Sequence, residues 1–392
     1  MQITKPCPSC YSNDVFIFHE ALNTPVNSVL LLNSRKEALN FTRGDVILGF
    51  CRSCGFIYNL VFEPHLLEYS NRYESTQGYS QTFNNFQIIL AEQLIEKYNL
   101  HNKNIVEIGC GQGEFLSLLC DNGKNRGLGF DPVYDSDRNN REHNKQITFI
   151  GDFYSEKYSY IDADFVCCKM TLEHIQNTGS FIGMLGRILS GKPQTVVFFQ
   201  VPDIDRILQE IAFWDIYYEH CSYFSLGSLA RLFRRCNFDV VALEKAYSDQ
   251  YLMITVRPGI GLNPALDGEE DLSNLTASVE NFSRGYKLKL EEWQRNLEAM
   301  EQAGKRIVIW GASSKAVAFL TALREKNGID YVVDINPRKK NTYIAGTGQK
   351  VVGPEFLVGY KPDIAIVMNP IYIEEIQDIL GRMMVSVDLL TL

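Results

Sequence analysis

The middle of the chain alternates short apolar runs with longer stretches whose apolar residues recur at helical spacing. Each short run predicts a buried strand, and the stretch that follows leaves room for a helix. This alternation is typical of a mostly parallel sheet with helices on both faces. The predicted strands are Ile105–Ile108, Gly127–Phe130, Phe165–Lys169, Thr195–Val201 and Tyr251–Val256.

A helix and a hinge lie on either side of this region. Upstream, a stretch rich in tyrosine, with Tyr69, Tyr73 and Tyr79, leads into Phe86–Tyr98. The apolar spacing of Phe86–Tyr98 predicts a helix that packs on the sheet. Downstream, proline and glycine are dense in Arg257–Pro264, which predicts a break between domains.

Beyond the hinge, apolar residues recur every three or four positions, and Gly304 ends the pattern as a C-terminal cap. We expect one long helix whose apolar face packs on its own chain. A helix that pairs two copies of the chain is the alternative, so we expect a monomer or a homodimer. The apolar positions are Leu272, Leu275, Val279, Phe282, Tyr286, Leu290, Trp293, Leu297 and Met300.

The last part of the chain starts a second α/β unit. Arg306–Trp310 predicts a strand, Gly311–Lys315 a turn of small residues, and Ile329–Asp334 a second strand that ends in an acid. The pattern is half a Rossmann-type sheet, but the turn lacks the second glycine of a dinucleotide site. A helix that begins at this turn can still hold a phosphate with its serines and Lys315.

The most informative stretch is Ile105–Leu116, which predicts a buried strand, a glycine turn and the first turn of a helix. Gly109, Gly111 and Gly113 stand at alternate positions, where the absence of a side chain lets a ligand approach the backbone closely. The following helix points its partly positive N-terminus at the same place. The next predicted strand ends in Asp131, and an acid there can accept both hydroxyls of a ribose.

Two C-x-x-C pairs lie near the start of the chain, at Cys7, Cys10, Cys51 and Cys54. Two such pairs complete a tetrahedron of thiolates around zinc, and four sulfur ligands leave no open coordination position. The sequence therefore predicts a structural zinc in a zinc-ribbon-like module, with strands at Val29–Leu32 and Asp45–Phe50. Unpaired structural cysteines are the alternative, and a redox pair is disfavoured because no βαβ pattern surrounds either pair.

Length and charge narrow the class of protein. A chain of 392 residues predicts two or three domains, and its hydrophobic content of 45% and charged content of 22% are those of a soluble globular protein. A net charge of −9 argues against a general nucleic-acid binder. We recognise neither a signal peptide nor a membrane span, so we expect a cytoplasmic protein without membrane or nucleic-acid partners.

The glycine stretch resembles that of the class I S-adenosyl-L-methionine (SAM) methyltransferases. In that family an E-x-G-x-G-x-G loop lies beside the methionine part of SAM, and a later acid holds the ribose. The resemblance continues at Gly151–Phe153, where the family's acid faces the adenine amino group, and at Lys169–His174 after the next strand. It implies a SAM site that contains Glu107, Gly109, Cys110, Gly111, Gly113, Asp131, Asp152 and Phe153.

A candidate for chemistry is Phe213–Ser225, which gathers aromatic rings, acids and a histidine. Histidine has the side chain whose ordinary pKa lets it exchange a proton near neutral pH. A carboxylate can orient the histidine, and a tyrosine hydroxyl can stabilise an enolate oxygen. A buried aromatic loop with a satisfied histidine explains the same segment, so both hypotheses stay open at this point.

The order of the parts is similar to that of the nucleotide-deoxysugar C-methyltransferases: zinc knuckles, a SAM domain, a Y-x-E-H-x-x-x-F-S segment, a long helix and a Rossmann-like domain. The resemblance implies that Tyr217, Glu219 and His220 line the sugar site, with Tyr73 as a further tyrosine. His220, or Tyr217 helped by it, would remove a proton from the carbon beside a ketone, and the enolate would attack the methyl group of SAM. One departure is Ala246–Tyr251, where family members often carry His-Gly-Gly.

The sequence thus predicts an α/β protein with a zinc-binding module (1–65), a SAM-dependent methyltransferase domain (66–257), a linker with a long helix (258–304) and a Rossmann-like domain (305–392). We expect C-methylation of a small molecule, a nucleotide-linked keto sugar. Because of the departure at Ala246–Tyr251, O- or N-methylation of a polysaccharide precursor or another small metabolite is the alternative. A zinc-ribbon module that binds RNA or protein is the third hypothesis, which the acidic charge disfavours.

Overall fold

Three sheets organise the protein in the computed structural model, which describes residues 5–136, 146–323 and 328–392. The first sheet has four antiparallel strands, the central sheet has seven strands and the last sheet has five. In chain order the strands are β1 (Val15–Pro25), β2 (Arg43–Cys51), β3 (Ile57–Asn59), β4 (Asn104–Ile108), β5 (Arg126–Phe130), β6 (Ile147–Ile150), β7 (Phe165–Lys169), β8 (Val196–Pro202), β9 (Ser222–Tyr223), β10 (Phe238–Ala246), β11 (Tyr251–Pro258), β12 (Ile307–Trp310), β13 (Ile329–Val333), β14 (Lys350–Val352), β15 (Ile364–Val367) and β16 (Asp388–Thr391).

The helices lie between these strands, and short 3₁₀ turns precede or follow several of them. Within the described ranges, every helix is too short or too polar to cross a lipid bilayer. In chain order the helices are α1 (Arg35–Leu39), α2 (Gln81–Tyr98), α3 (Glu114–Gly123), α4 (Thr178–Ile188), α5 (Ile204–Glu210), α6 (Leu226–Arg235), α7 (Leu272–Gln302), α8 (Ser314–Leu323), α9 (Leu357–Tyr360) and α10 (Ile373–Arg382).

The central sheet has the strand order β10-β11-β8-β7-β4-β5-β6, and its β8-β7-β4-β5-β6 part is parallel. Successive residues of a strand face opposite sides, so Ile105 packs with α2 and α3 while Val106 packs with α4 and α6. The predicted α/β fold with helices on both faces is confirmed. The sequence analysis did not predict β6, because β6 is an edge strand in which no residue is fully buried.

The N-terminal sheet has the order β1-β2-β3-β9, so a strand from far along the chain completes it. The predicted strand at Asp45–Phe50 lies within β2 and is confirmed. The predicted strand at Val29–Leu32 is wrong, because Leu30 forms only an isolated bridge with Tyr73. This run is apolar because Leu30 and Leu32 pack in a small core of their own.

The C-terminal sheet is fully parallel in the order β14-β13-β12-β15-β16, as expected for a Rossmann-type unit. The long helix α7 joins it to the central part and ends just before Gly304, whose φ is +68°. Phe282 of α7 meets Phe18 of β1 with ring centroids 6.1 Å apart, and Trp293 meets Phe319 of α8 at 5.2 Å. The apolar face of α7 therefore packs on its own chain, as predicted.

Candidate active site

A cavity of about 760 Å³ opens at the carboxyl edge of the central sheet, where β4, β5, β7 and β8 end. Val29 of the N-terminal module, Asp131 and His220 of the central part, and Lys315 and Tyr372 of the C-terminal unit all line it. Open α/β sheets bind ligands at this edge. The three parts of the protein therefore meet around one ligand site.

The glycine loop joins β4 to α3 at this edge. Gly109, Gly111 and Gly113 have φ values of +72°, +57° and +84°, a region that glycine enters without a side-chain clash. The amides of Gly109 and Cys110 both donate to the carbonyl of Phe130, at 2.8 and 3.1 Å. The loop is thus anchored to the end of β5, beside Asp131.

The glycines of this loop serve different purposes. A Cβ on Gly109 would lie 2.0 Å from Oγ1 of Thr171, and a Cβ on Gly113 would lie 2.3 Å from the ring of Phe149. A Cβ on Gly111 would meet no described atom within 4 Å. Packing inside the protein therefore requires Gly109 and Gly113, whereas Gly111 keeps space open for a ligand.

Asp131 follows β5 and turns its carboxylate towards the loop. Its Oδ2 accepts a hydrogen bond from the amide of Gly111 at 2.8 Å, and its Oδ1 accepts one from the amide of Val133 at 2.9 Å. Burial raises the pKa of Asp131 above its ordinary value, and the two amides oppose the rise. A carboxylate oxygen can accept more than one hydrogen bond, so Asp131 can also hold ribose hydroxyls.

Glu107 and Lys169 lie buried on the cavity wall, on neighbouring strands. Burial raises the pKa of Glu107 to about 8 and lowers the pKa of Lys169 to about 8, while each charge favours ionisation of the other. Lys169 Nζ donates to Oε1 of Gln87 at 3.2 Å and lies 3.4 Å from the centroid of the Phe115 ring. The predicted Glu107 therefore has a buried basic neighbour in Lys169, which the sequence analysis placed in the Lys169–His174 segment without assigning it to the SAM site.

Asp152 and Phe153, the residues expected near the adenine, also line the cavity together with Cys110. The Asp152 carboxylate accepts a hydrogen bond from the Tyr158 hydroxyl at 2.7 Å and pairs with Lys157. The Phe153 ring is largely exposed. The two residues therefore form an open part of the wall, in contrast to the buried Asp131.

Tyr217 and His220 form the core of the predicted catalytic segment. The Tyr217 hydroxyl lies 3.0 Å from Nε2 of His220, and their ring centroids are 4.2 Å apart. Burial lowers the pKa of His220 well below its ordinary value, with further contributions from His174 and Lys315. His220 is therefore neutral at pH 7 and able to accept a proton.

A second histidine, His174, lies beside His220, with ring centroids 4.9 Å apart. Nδ1 of His174 lies 2.9 Å from the backbone oxygen of Glu219, so Nδ1 carries the proton and Nε2 keeps its lone pair. Neither carboxylate oxygen of the neighbouring Glu173 has a hydrogen-bond partner among the described residues. A histidine just after a predicted strand was a usable signal, but only the fold places it against His220.

Glu219 and Tyr73 complete the wall around this pair. Burial raises the pKa of Glu219 to about 7, against the hydrogen bonds that it accepts from Ser28. The Tyr73 ring lies beside the Tyr69 ring with centroids 5.6 Å apart, and burial raises the pKa of Tyr73 well above its ordinary value. All four predicted catalytic residues therefore line the same cavity as the glycine loop.

Two protein families match the chain over the parts that build this cavity. Residues 85–243 match a family described as a methyltransferase domain, and residues 263–385 match a family described as a C-methyltransferase C-terminal domain. The first match contains the glycine loop, Asp131 and His220. The chain is a class I SAM-dependent methyltransferase. The predicted enzyme class and SAM as its cofactor are thereby confirmed, and the open space at Gly111 beside the Asp131 carboxylate fits that cofactor.

This methyltransferase is similar to the C-methyltransferase NovU of Streptomyces niveus, with 24% identity over 367 residues that cover 89% of this chain and 86% of the relative. It is also similar to the structure of the 1,6-didemethyltoxoflavin-N1-methyltransferase of Burkholderia thailandensis (15% identity, 46% of this chain, 82% of that chain, TM-score 0.36). A further structure is the magnesium protoporphyrin IX methyltransferase of Synechocystis PCC 6803 (14% identity, 45% of this chain, 84% of that chain, TM-score 0.34). Similarity to structures at this level carries no information about the acceptor.

The four predicted zinc ligands of the methyltransferase come together beside β2. Sγ of Cys7 lies 3.7 Å from Sγ of Cys54, and Sγ of Cys10 lies 3.5 Å from Sγ of Cys51. All four sulfur atoms lie within 4.8 Å of one another, and none of these cysteines forms a disulfide. Sulfurs that surround a zinc ion with bonds of about 2.3 Å are about 3.8 Å apart, so the cluster has the size of such a site.

Lys315, which the sequence analysis proposed as a phosphate ligand, forms an ion pair within the protein. Its ammonium group pairs with Asp215, which also accepts a hydrogen bond from Nη2 of Arg206 at 2.6 Å. Asp215 is buried, and these two cations hold its pKa below the ordinary value against the effect of burial. Arg206 also pairs with Glu210 at 2.7 Å, so two carboxylates balance the two cations and the charge of Lys315 is largely compensated within the protein.

Proposed function

We propose that this methyltransferase methylates a carbon atom of a nucleotide-linked keto sugar. The observation that carries the proposal is the Tyr217–His220 pair, which lies in the same cavity as the glycine loop and Asp131. Methylation at carbon needs a base that removes a proton beside a carbonyl group, and the neutral imidazole of His220 has a nitrogen lone pair that can take that proton. The C-methyltransferase C-terminal domain and the similarity to NovU support transfer to carbon.

Different residues of the cavity would have different roles in this reaction. The glycine loop and Asp131 would hold SAM, which supplies an electrophilic methyl group. Nε2 or Nδ1 of His220 would take the proton from the acceptor carbon, and the Tyr217 hydroxyl, 3.0 Å from Nε2, would stabilise the imidazole or the enolate oxygen. Tyr73 and the buried wall around it would exclude water from the reacting atoms.

The C-terminal unit would hold the nucleotide. Its loop Gly311–Lys315 and the residues around Asp334 line the side of the cavity that faces Tyr73 and His220. The start of α8 presents backbone amides at this wall, as expected for a phosphate contact. The proposed domains, 66–257 for SAM and 305–392 for the nucleotide, would thus share one acceptor site.

The test is incubation with SAM and a panel of nucleoside-diphosphate keto sugars, read by mass spectrometry and by NMR of the new methyl group. The wild type should also exchange the acceptor carbon's proton with deuterated solvent. His220→Ala should slow both methylation and exchange at least about 100-fold, while His101→Ala, at an exposed position, should change neither.

Two results would contradict this mechanism. A product methylated at oxygen or nitrogen would favour the alternative function, with the histidine deprotonating a hydroxyl or an amine. Undiminished exchange in His220→Ala would show that another group removes the proton.

We infer that the four N-terminal cysteines bind a structural zinc ion. The sulfur separations and the absence of a fifth ligand in the described cluster support a closed tetrahedral site. Metal analysis should return about one zinc per chain. Cys7→Ser should lose the zinc and melt at a lower temperature, whereas Cys236→Ser, outside the cluster, should keep it; zinc-free protein with an unchanged melting temperature would contradict the inference.

A further inference from the structure

We propose that Ser28 of the N-terminal module positions Glu219 in the active site, so that Glu219 presents its Oε1 atom to a hydroxyl group of the methyl acceptor. Ser28 lies between β1 and α1, 191 residues before Glu219. The proposal rests on the proposed function, because that function supplies the acceptor. Ser28 acts through Glu219 and is therefore a positioning residue.

The contacts fix one side of the Glu219 carboxylate. The backbone amide of Ser28 donates to Oε2 of Glu219 at 3.0 Å, and the Ser28 hydroxyl donates to the same oxygen. The Ser28 hydroxyl also lies 2.7 Å from Oγ of Ser314, the first residue of α8. The N-terminal module, the methyltransferase domain and the C-terminal unit thus meet at Ser28.

The number of protons sets the direction of these hydrogen bonds. A serine hydroxyl carries one proton and can accept through its lone pairs. The Ser28 hydroxyl is placed to donate either to Oε2 of Glu219 or to Oγ of Ser314. While Glu219 is ionised, its carboxylate is the stronger acceptor, so Oε2 then receives both of its hydrogen bonds from Ser28.

The other oxygen, Oε1, is buried and no described residue donates to it with hydrogen-bond geometry. The Asn27 side chain, which donates to the carbonyl of Glu68 at 3.3 Å, lies near enough to lower the pKa of Glu219. Leaving a buried carboxylate oxygen without a donor is costly, so a native site of this kind is completed by something that binds there. Glu219 lines the cavity beside His220 and Tyr217. A hydroxyl group next to the reacting carbon of a sugar would supply the missing donor, which makes the acceptor a hydroxylated compound.

The experiment compares Ser28→Ala with Ser12→Ala, the same change in the same module. The Ser12 hydroxyl contacts that of Ser53 at 2.8 Å on the surface, away from the cavity. The acceptor is the panel member that the wild type methylates fastest. Ser28→Ala should raise the KM for this acceptor about tenfold, keep kcat within about threefold and leave the dissociation constant of SAM unchanged. Ser12→Ala should match the wild type in all three.

A double-mutant cycle separates positioning from general stability. In the Glu219→Gln background, the further change Ser28→Ala should have almost no effect on KM, because the group that it positions is already altered. An unchanged KM in Ser28→Ala, an equal rise in Ser12→Ala, or full additivity in the cycle would overturn the proposal.

Failure of the proposed function gives a different result. If the wild type methylates no panel member, the proposed function is wrong and the same cycle is measured by melting temperature. A melting shift for Ser28→Ala that persists in full in the Glu219→Gln background would then overturn the contact as well. A shift that disappears in that background would support it.

Discussion

The methyltransferase domain and the C-terminal unit share one structural feature, an acid that accepts hydrogen bonds from the amides of a neighbouring loop. In the first, Asp131 accepts hydrogen bonds from the amides of Gly111 and Val133, at 2.8 and 2.9 Å. In the second, Asp334 accepts hydrogen bonds from the amides of Ala312 and Asn336, both at 2.8 Å. In each case an acid after the second strand holds the loop that follows the first strand.

The two acids, Asp131 and Asp334, differ in their side-chain contacts. Lys339 Nζ lies 3.4 Å from Oδ2 of Asp334 and donates to the carbonyl of Ala312 at 2.9 Å. Lys339 is itself buried, so Asp334 has a charged partner inside the protein. Asp131 accepts its hydrogen bonds from backbone amides. The same fold therefore holds an acid bound by backbone amides in one unit and an acid that also pairs with a lysine in the other, so similar loop patterns do not imply the same ligand contacts.

The sharpest test compares Asp131→Asn with Asp334→Asn. Asp131→Asn should weaken SAM binding at least about 100-fold, because hydrogen bonds from two ribose hydroxyls to a charged group are lost. Asp334→Asn should leave SAM binding within about twofold of the wild type. Isothermal titration calorimetry measures both, and equal affinities in the two variants would contradict the assignment of SAM to the first unit.

A second test uses one glycine from each loop. Gly111→Ala should weaken SAM binding about tenfold or more, because the new methyl group enters open ligand space, while φ of +57° costs the fold only about 1 kcal/mol. Gly311→Ala has φ of +111° and should lower the stability by about 1–3 kcal/mol with SAM affinity unchanged. Chemical denaturation and calorimetry measure the two quantities, and a reversed pattern would show that the loops had been assigned to the wrong ligands.

The smallest expected effect is the pH dependence of SAM binding. In the proposed SAM site the ionised Asp131 would accept both ribose hydroxyls, and burial raises the pKa of Asp131 above its ordinary value. SAM affinity should therefore be constant at neutral pH and fall several-fold as the pH drops towards that raised pKa, because protonation of the free protein competes with binding. Titrations in Asp131→Asn should lack this acid-side fall; the same fall in that variant would assign it to another group.

Site residues that belong to local motifs or follow predicted strands could be predicted from the sequence. Gly109, Gly111 and Asp131 follow predicted strands, and parallel strands bring their carboxyl ends to one edge, so their meeting could be expected. The four cysteines were recognisable because each pair forms within a few residues. The error at Val29–Leu32 has a related cause, since an apolar run records burial without recording which partner buries it.

Contacts between distant elements were not predictable in this way. Nothing in the pattern around Ser28 shows that it meets Glu219, and the pattern around Lys339 does not show that it reaches Asp334. Both contacts depend on how whole sheets and loops pack against each other. His174 is an intermediate case, because the strand before it was predicted but its ring contact with His220 was not.

The sequence by itself determined the α/β fold, the position of the glycine loop and the residue types available for chemistry. Local backbone geometry and the period of apolar residues carry that information within a short stretch of chain. The tertiary structure decided which of the two acids pairs with a lysine, which loop glycine has open space beside it and which serine contacts Glu219. Those outcomes depend on side chains that meet across long separations in the chain, and only the packing of the three sheets brings them together.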